Sequence, residues 1–301
     1  MKDFDFHTPG SLREALVLLA KYNPSTSTRS AVIAGGTDVV IELRDFKRHP
    51  EHVININKLN ELRYCKFENG KVRIGPLTTF ADLERDAGIR EKVKSLHYCA
   101  SNVGSPQIRN LGTIGGNVIN ASPAGDSIST LMSLDASVVL ESGRGRREMK
   151  LQDFYAHCQK TQLAPDELLT EIYFDAPTND IATAAYKLGK RKSLAIVVVG
   201  FSVLIERDSS DRIKRSQIVL GASSKIPVRI NALEDYVLGK PLTEDTFKPC
   251  GGMLSEIIKN MIPEKDAELF EKYHKVESIK SITERTFRRI LDCFERRREG
   301  K

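Results

Sequence analysis

Two glycine pairs, Gly35-Gly36 and Gly115-Gly116, each follow an apolar, β-branched stretch and precede a polar residue. They lie in the strings VIAGGTD and LGTIGGN, and both are expected at the end of a strand. Adjacent glycines let the backbone approach a ligand without an intervening Cβ, and they let consecutive N–H groups converge on an anion. One pair alone favours a conformational role. Two pairs, each beside a hydroxyl (Thr37 or Thr113), favour a nucleotide whose diphosphate is held from both sides.

The surrounding pattern excludes the two commonest nucleotide-binding frameworks. A Rossmann site needs GxGxxG between a strand and a helix, and a P-loop needs GxxxxGK[ST]; neither string occurs in the 301 residues. The five cysteines are widely spaced without a CxxC pair, which argues against a disulfide framework, a zinc site or an iron–sulfur cluster. The six histidines contain no HExxH motif and predict no metal site.

The charge and hydropathy of the sequence bear on nucleic-acid binding and on membrane insertion. Much of the net charge of +6 lies in the C-terminal string FRRILDCFERRREGK and in the cluster Lys187 to Lys192. We interpret the string as a solvated tail and the cluster as solvated strand-end charge, with an anionic ligand or a partner subunit as alternative partners of the cluster. No nucleic-acid motif accompanies them, so no nucleic-acid partner is predicted. No apolar run approaches the roughly 18 residues that span a bilayer, and the N-terminal stretch lacks a secretory apolar core. We therefore expect a cytoplasmic protein without a membrane span.

The pattern of apolar residues divides the chain into three sections. In residues 1–57, Ser11 begins a capping box that opens an amphipathic helix, and short strands follow. Residues 58–177 open with a hairpin around Asn69-Gly70, continue with helices, and end with a second hairpin and a strand. Residues 178–301 contain long strands and then helices. A run of strands followed by a run of helices is the signature of an α+β domain.

Three strings together resemble a known family: VIAGGTDVV at residues 32–40, IGPLTTFADLE at 74–84 and IRNLGTIGGNVINASPAGD at 108–126. The combination is similar to the FAD-binding subunit, or central flavin domain, of molybdenum hydroxylases such as xanthine dehydrogenase, aerobic carbon monoxide dehydrogenase and 4-hydroxybenzoyl-CoA reductase. The third string is especially specific, with its basic residue, TIGGN core and S-P-x-x-D end. Residues 186–203 and 226–242 resemble the C-terminal part of these flavoproteins, so the resemblance covers nearly the whole chain.

The resemblance implies an α+β fold with a FAD-binding domain of the p-cresol methylhydroxylase and vanillyl-alcohol oxidase type over residues 1–177. Its two subdomains span about 1–57 and 58–177, and a C-terminal α+β flavoprotein domain spans 178–301. The residues expected by this likeness to bind FAD are Ile33, Ala34, Gly35, Gly36, Thr37, Asp38, Val103, Thr113, Ile114, Gly115, Gly116, Asn117, Asp126 and Lys214.

Each part of this set has an expected role. The segment Ile33 to Asp38 would supply backbone donors and a hydroxyl to the pyrophosphate, and Thr113 to Asn117 would close on it from the other side. Asp126 matches a family carboxylate that accepts hydrogen bonds from the adenosine ribose, although a helix N-cap is an alternative role for it. Val103 matches an adenine-contacting position, and Lys214 a lysine near the flavin. No residue is assigned a catalytic or metal-binding role, because the redox chemistry belongs to the flavin.

The resemblance implies an electron-transfer flavoprotein subunit. In such complexes a large partner subunit holds molybdopterin, and a small partner carries two [2Fe-2S] clusters that pass electrons through FAD to NAD+, a quinone or another acceptor. The lack of a cysteine cluster in this chain fits that division of cofactors. Two alternatives stay open: a stand-alone flavin oxidase of the same fold, and a non-redox nucleotide-binding or assembly protein. The substrate is not predicted, since in this family the molybdenum subunit determines it.

Overall fold

The computed structural model describes residues 3–23, 29–155, 161–189, 196–224, 226–261 and 269–299, with the backbone alone for 269–273. The first section is built on a three-stranded parallel sheet in the order β1-β3-β2, beside two helices. Its elements are β1 (Asp5–His7), α1 (Leu12–Tyr22), β2 (Ser30–Ile33), α2 (Val39–Arg44) and β3 (His52–Asn55).

Helix α1 begins where the sequence predicts it, because the Ser11 hydroxyl accepts a hydrogen bond from the Glu14 N–H. Ala15 and Leu19 are one helical turn apart and are both buried against the sheet, whose central strand β3 contributes the fully buried Ile54.

The second section contains a five-stranded antiparallel sheet in the order β4-β5-β8-β6-β7, covered by short helices. The hairpin predicted around Asn69-Gly70 is confirmed, with φ of 51° at Asn69 and 71° at Gly70. Its elements are a 3-10 turn (Asn60–Leu62), β4 (Cys65–Glu68), β5 (Lys71–Ile74), α3 (Phe80–Arg85), α4 (Ala87–Lys92), α5 (Lys94–Ser101), α6 (Pro106–Leu111), α7 (Ile114–Asn120), α8 (Asp126–Ser133), β6 (Ser137–Ser142), β7 (Gly145–Lys150), α9 (Leu151–Phe154) and β8 (Leu168–Asp175).

The third section is a four-stranded antiparallel sheet in the order β12-β11-β10-β9, followed by helices. Its elements are β9 (Ile181–Gly189), β10 (Val197–Arg207), β11 (Ile213–Gly221), β12 (Val228–Arg229), α10 (Asn231–Val237), α11 (Glu244–Phe247), α12 (Cys250–Met261) and α13 (Leu269–Arg298). The end of the basic cluster, Lys190 to Lys192, lies outside the described residues.

Strand β10 shows how this third sheet is held between two layers of helices. Phe201 and Val203 are fully buried in the core formed with α12 and α13. Ser202 and Leu204 point to the opposite face, as the two-residue period of a strand requires. There Leu204 joins the core of the second section, and the Ser202 hydroxyl lies 3.1 Å from that of Thr130 on α8. The third section is therefore packed directly onto the second.

The fold corrects one local prediction. The second glycine pair, Gly115-Gly116, lies in the first turn of helix α7 and not at the end of a strand. The Thr113 hydroxyl accepts a hydrogen bond from the Gly116 N–H at 3.0 Å and so caps the helix. The cap and the packing of Gly115 beneath Pro76 outweigh the low helix propensity of glycine.

Candidate functional site

A groove with a volume of about 760 Å³ runs between the first and second sections, which is within the usual range for small-molecule sites. Both glycine pairs line it, although they are about 80 residues apart in the sequence. Of the fourteen residues predicted to bind FAD, ten line this groove: Ala34, Gly35, Gly36, Thr37, Asp38, Val103, Thr113, Gly115, Gly116 and Asn117. Ile33 ends the strand that leads into it, and Ile114 is fully buried beneath it.

The first wall of the groove is the turn that joins β2 to α2. Gly36 has a φ of 73°, a conformation that favours glycine. The backbone N–H groups of Gly35, Gly36 and Thr37 donate to no other residue that the structure describes. Consecutive unpaired N–H groups in a glycine turn form an anion-binding nest. This wall therefore supplies hydrogen-bond donors.

The second wall, the start of α7, has a different chemistry. Its backbone N–H groups are paired within the fold: that of Ile114 with the Thr78 carbonyl, that of Gly115 with the Pro76 carbonyl, and that of Gly116 with the Thr113 hydroxyl. Gly116 is exposed to the groove, whereas Gly115 is buried. This wall offers a surface without a side chain, and its backbone donors are already used.

Asn117 adds a polar group to the second wall. Its carbonyl oxygen accepts hydrogen bonds from the N–H and the hydroxyl of Ser127, at 3.3 and 2.6 Å. These bonds fix the orientation of the side chain. The Asn117 amide NH2 makes no hydrogen bond within the described part of the chain, so it is free to donate to a ligand in the groove.

The two walls are joined at one side. The Asn120 amide at the end of α7 donates to the Asp38 carboxylate at 3.1 Å, and the Thr37 hydroxyl donates to the same carboxylate at 3.3 Å. A Cβ on Gly35 would lie 1.9 Å from the Leu111 carbonyl oxygen, so this glycine is required by the contact between the walls.

Asp126 is placed outside the groove lining, in a cleft between α8 and β9. Its carboxylate accepts a hydrogen bond from Lys187 at 2.6 Å, and the two side chains are only 14% and 12% exposed. Burial raises the pKa of the Asp126 carboxyl, and the Lys187 ammonium partly offsets that rise. The N-cap position of α8 belongs to Gly125, so the alternative capping role for Asp126 does not apply.

Lys187 was missed by the sequence analysis, which assigned its cluster to solvated strand-end charge. That interpretation is wrong for Lys187, whose side chain is only 12% exposed and also donates to the Asn102 carbonyl at 3.0 Å. The one sequence signal was that Lys187 is the single basic residue of the mostly apolar strand β9. Asn102 lines the cleft and its neighbour Val103 lines the groove, so the two spaces adjoin there.

Lys214 is not brought to either space. It lies near the start of β11 with a side chain that is 64% exposed, and it donates to the Glu206 carboxylate at 2.7 Å. The described part of the chain contains no helix with the length and hydropathy to cross a membrane.

Comparisons with known proteins cover nearly the whole chain. Residues 2–177 match a family described as the FAD binding domain in molybdopterin dehydrogenase, and residues 184–289 match the CO dehydrogenase flavoprotein C-terminal domain. The chain is 41% identical to the nicotinate dehydrogenase FAD-subunit of Eubacterium barkeri over 98% of each chain. It is 30% identical to the glyceraldehyde dehydrogenase medium chain of Sulfolobus acidocaldarius over 96% of this chain and 98% of the relative.

The fold also matches that of a solved structure. The fold is similar to that of a chain from the carbon monoxide dehydrogenase of Hydrogenophaga pseudoflava, with a TM-score of 0.86 and 27% identity. The superposition covers 97% of this chain and 98% of the other. The predicted α+β class, with a FAD-binding part followed by a C-terminal flavoprotein part, is thereby confirmed.

Proposed function

The chain belongs to the family of FAD-binding subunits of molybdenum hydroxylases, and from that premise we propose that it passes electrons from [2Fe-2S] clusters of a small partner subunit, through FAD, to NAD+ or another acceptor. It is a flavoprotein component of an oxidoreductase, as the resemblance implies. The proposal adds the direction of electron flow, the identity of the acceptor and a large molybdopterin-binding partner.

One observation carries the proposal: Gly35, Gly36 and Thr37, whose N–H groups donate to no residue in the described part of the chain, line the same groove as the exposed, side-chain-free Gly116. A pyrophosphate needs donors, and it needs a surface that lets it approach closely. The residues present therefore fit the diphosphate of FAD, with the Asn117 amide as a further donor. When bound, FAD supplies the capacity to exchange one or two electrons.

Around the groove, the chain's own residues have distinct tasks in this proposal. The nest at Gly35 to Thr37 binds the diphosphate, and Asp38 holds the nearby Thr37 hydroxyl and Asn120 amide in place. Val103 supplies an apolar contact where the groove adjoins the second cleft. In that cleft Asp126 and Lys187 present an ion pair whose outer lone pairs and protons can bond the hydroxyl groups of the cofactor.

The four described cysteines support the proposed division of cofactors between subunits. Cys65, Cys99, Cys250 and Cys293 are unpaired; Cys250 is buried in the core of the third section, whereas the buried Cys99 lines the cleft that contains Asp126. They do not converge on a cluster site, and Cys158 lies outside the described residues. We therefore assign the iron–sulfur clusters to a partner subunit and place the complex in the cytoplasm, where thiols stay reduced.

The proposal is tested in two steps on the purified chain. The absorption spectrum is recorded before and after addition of FAD and gel filtration, and we expect flavin at about one per chain. The flavin-loaded chain is then mixed anaerobically with NADH, since an NAD+-reducing subunit must also catalyse the reverse transfer. Bleaching of the flavin bands supports NAD+ as the acceptor. If NADH does not bleach them but a quinone reoxidises the dithionite-reduced flavin, the acceptor is a quinone.

Two results would contradict the proposal. A chain that binds no flavin, even when co-expressed with its partner subunits, lacks the site. A flavin-loaded chain that alone oxidises a small organic substrate and forms no complex with [2Fe-2S] or molybdopterin subunits is the stand-alone oxidoreductase.

A further inference from the structure

Three metal-ligating side chains meet at the edge of the first section, away from the groove. Asp5 and His7 lie on β1, two residues apart and therefore on the same face of the strand. His52 opens β3, which pairs in parallel with β1 and places His52 opposite Asp5. One ligand atom from each side chain lies within 4.8 Å of the other two.

Two of the three distances between these ligand atoms match the edges of a small coordination polyhedron. The His52 Nδ1 atom is 3.3 Å from the His7 Nε2 atom and 3.3 Å from an Asp5 carboxylate oxygen. Two ligand atoms that each lie about 2.05 Å from one zinc ion, at the tetrahedral angle, are about 3.3 Å apart. The backbone pairing of β1 and β3 thus sets the spacing that a tetrahedral ion needs.

Hydrogen bonding alone satisfies this arrangement poorly. A neutral imidazole carries one N–H, so the Nδ1 atom of His52 is either a donor or an acceptor. If the His52 Nδ1 atom carries the hydrogen, it can donate to only one of two acceptors, His7 or Asp5. If it instead accepts a hydrogen bond from His7, its lone pair also lies beside the negatively charged Asp5 carboxylate. A single cation at the centre accepts a lone pair from all three groups at once.

The two imidazole rings are held in position by stacking. The Tyr22 ring at the end of α1 stacks on His52 with centroids 3.7 Å apart, and on His7 with centroids 5.0 Å apart. The His52 side chain is 16% exposed, whereas the Asp5 side chain is 75% exposed. The two imidazole rings are therefore oriented before any metal ion binds, and the Asp5 side of the cluster is open to water.

We propose that Asp5, His7 and His52 bind one Zn²⁺ ion, with a water molecule as the fourth ligand. Two imidazole nitrogens and one carboxylate oxygen form a donor set that zinc takes in tetrahedral sites. The ion links β1 to β3 and, through Tyr22, fixes the end of α1. It acts as a structural clamp on the N-terminal strand, independent of the flavin groove.

The experiment uses the untagged, flavin-loaded chain, because a polyhistidine tag would itself bind the metal. After removal of metals with a chelator, Zn²⁺ affinity is measured by competition with a chromogenic chelator. Co²⁺ is then added as a spectroscopic probe, since tetrahedral Co²⁺ has intense d–d bands. We expect one tight Zn²⁺ site per chain and a tetrahedral Co²⁺ spectrum.

The variants Asp5→Asn and His7→Gln test the ligands, and His49→Gln is the matched control on a nearby histidine outside the cluster. Each ligand variant should weaken Zn²⁺ binding by at least about 100-fold, since even partners that only orient zinc ligands contribute about 10- to 100-fold. His49→Gln should bind as the original chain does. Zn²⁺ should also raise the thermal midpoint of the original chain and of His49→Gln, but not that of the ligand variants.

Asp5→Asn keeps the test decisive, because an exposed carboxylate can be replaced without disturbing the core. In chelator its thermal midpoint and flavin content should equal those of the original chain. The proposal is overturned if Zn²⁺ binds equally to the ligand and control variants, if Co²⁺ gives only weak octahedral bands, or if neither ion binds.

Discussion

Alanine substitutions at the adjacent glycines Gly115 and Gly116 should distinguish an effect on packing from an effect on ligand binding in the groove. A Cβ at Gly115 would lie 2.4 Å from the Pro76 Cβ and 2.7 Å from the Pro76 carbonyl oxygen, far inside van der Waals contact. A Cβ at Gly116 would meet only the Thr113 hydroxyl, at 2.9 Å. Gly115 is buried and Gly116 faces the groove, so the same methyl group has opposite surroundings at the two positions.

The magnitudes follow from these surroundings. For Gly115→Ala, helix α7 has to move by about 1 Å from Pro76, and such overpacking lowers the free energy of unfolding by about 1–3 kcal/mol. For Gly116→Ala, the gain from replacing a helical glycine is up to about 1 kcal/mol, and the Thr113 contact offsets part of it. Gly116→Ala should therefore be about as stable as the original chain.

Flavin binding should respond differently from stability. The methyl group of Gly116→Ala occupies the surface that we assign to the diphosphate, so the Kd for FAD should rise about 10-fold or more. The free energy of unfolding comes from urea titration of the flavin-free chain, and the Kd from quenching of FAD fluorescence. Equal stability of all three proteins would refute the packing argument for Gly115. Unchanged FAD affinity in Gly116→Ala would refute the assignment of that surface to the cofactor.

Two further predictions concern charged groups. Partial burial raises the pKa of the Asp82 carboxyl. The hydrogen bonds from Arg63 and from the start of α3 outweigh this effect and lower the pKa to about 2, below the value of 3.8 in the unfolded chain. This contributes about 2 kcal/mol above pH 4 that is lost as the pH falls towards 2, and Asp82→Asn should show that loss in urea titrations at pH 7. Lys187→Met leaves the Asp126 carboxylate, which is only 14% exposed, without its cation and should destabilise the chain by about 3 kcal/mol in the same assay. The double variant with Asp126→Asn should recover most of that loss.

Local signals in the sequence predicted much of the fold. The Ser11 cap and the Asn69-Gly70 hairpin are confirmed, because each depends on backbone preferences within a few residues. The second hairpin of residues 58–177 and the run of strands followed by helices in residues 178–301 likewise follow from apolar periods that the tertiary structure reinforces.

Features that depend on contacts between distant segments could not be predicted from local sequence signals. The second glycine pair was expected at a strand end, because the sequence does not reveal that Pro76 lies above Gly115 and that Thr113 caps a helix there. Lys187 was expected in water, because its partner Asp126 lies 61 residues away in the chain. The meeting of His7 and His52 depends on parallel pairing of β1 with β3, which no short motif encodes.

The contact between the groove walls determines how the cofactor should act on the whole chain. Gly35 touches the Leu111 carbonyl and Asn120 bonds Asp38 without any help from a ligand, so the walls are already ordered. Binding then requires little extra ordering, and its free energy goes directly into stability. Adding FAD at 100 times its Kd should raise the free energy of unfolding by about 2.7 kcal/mol, with no gain in helical circular dichroism. A marked gain in helical signal would instead mean that helix α7 or α2 folds on the cofactor, and the observed contact between the walls would not be what organises the site.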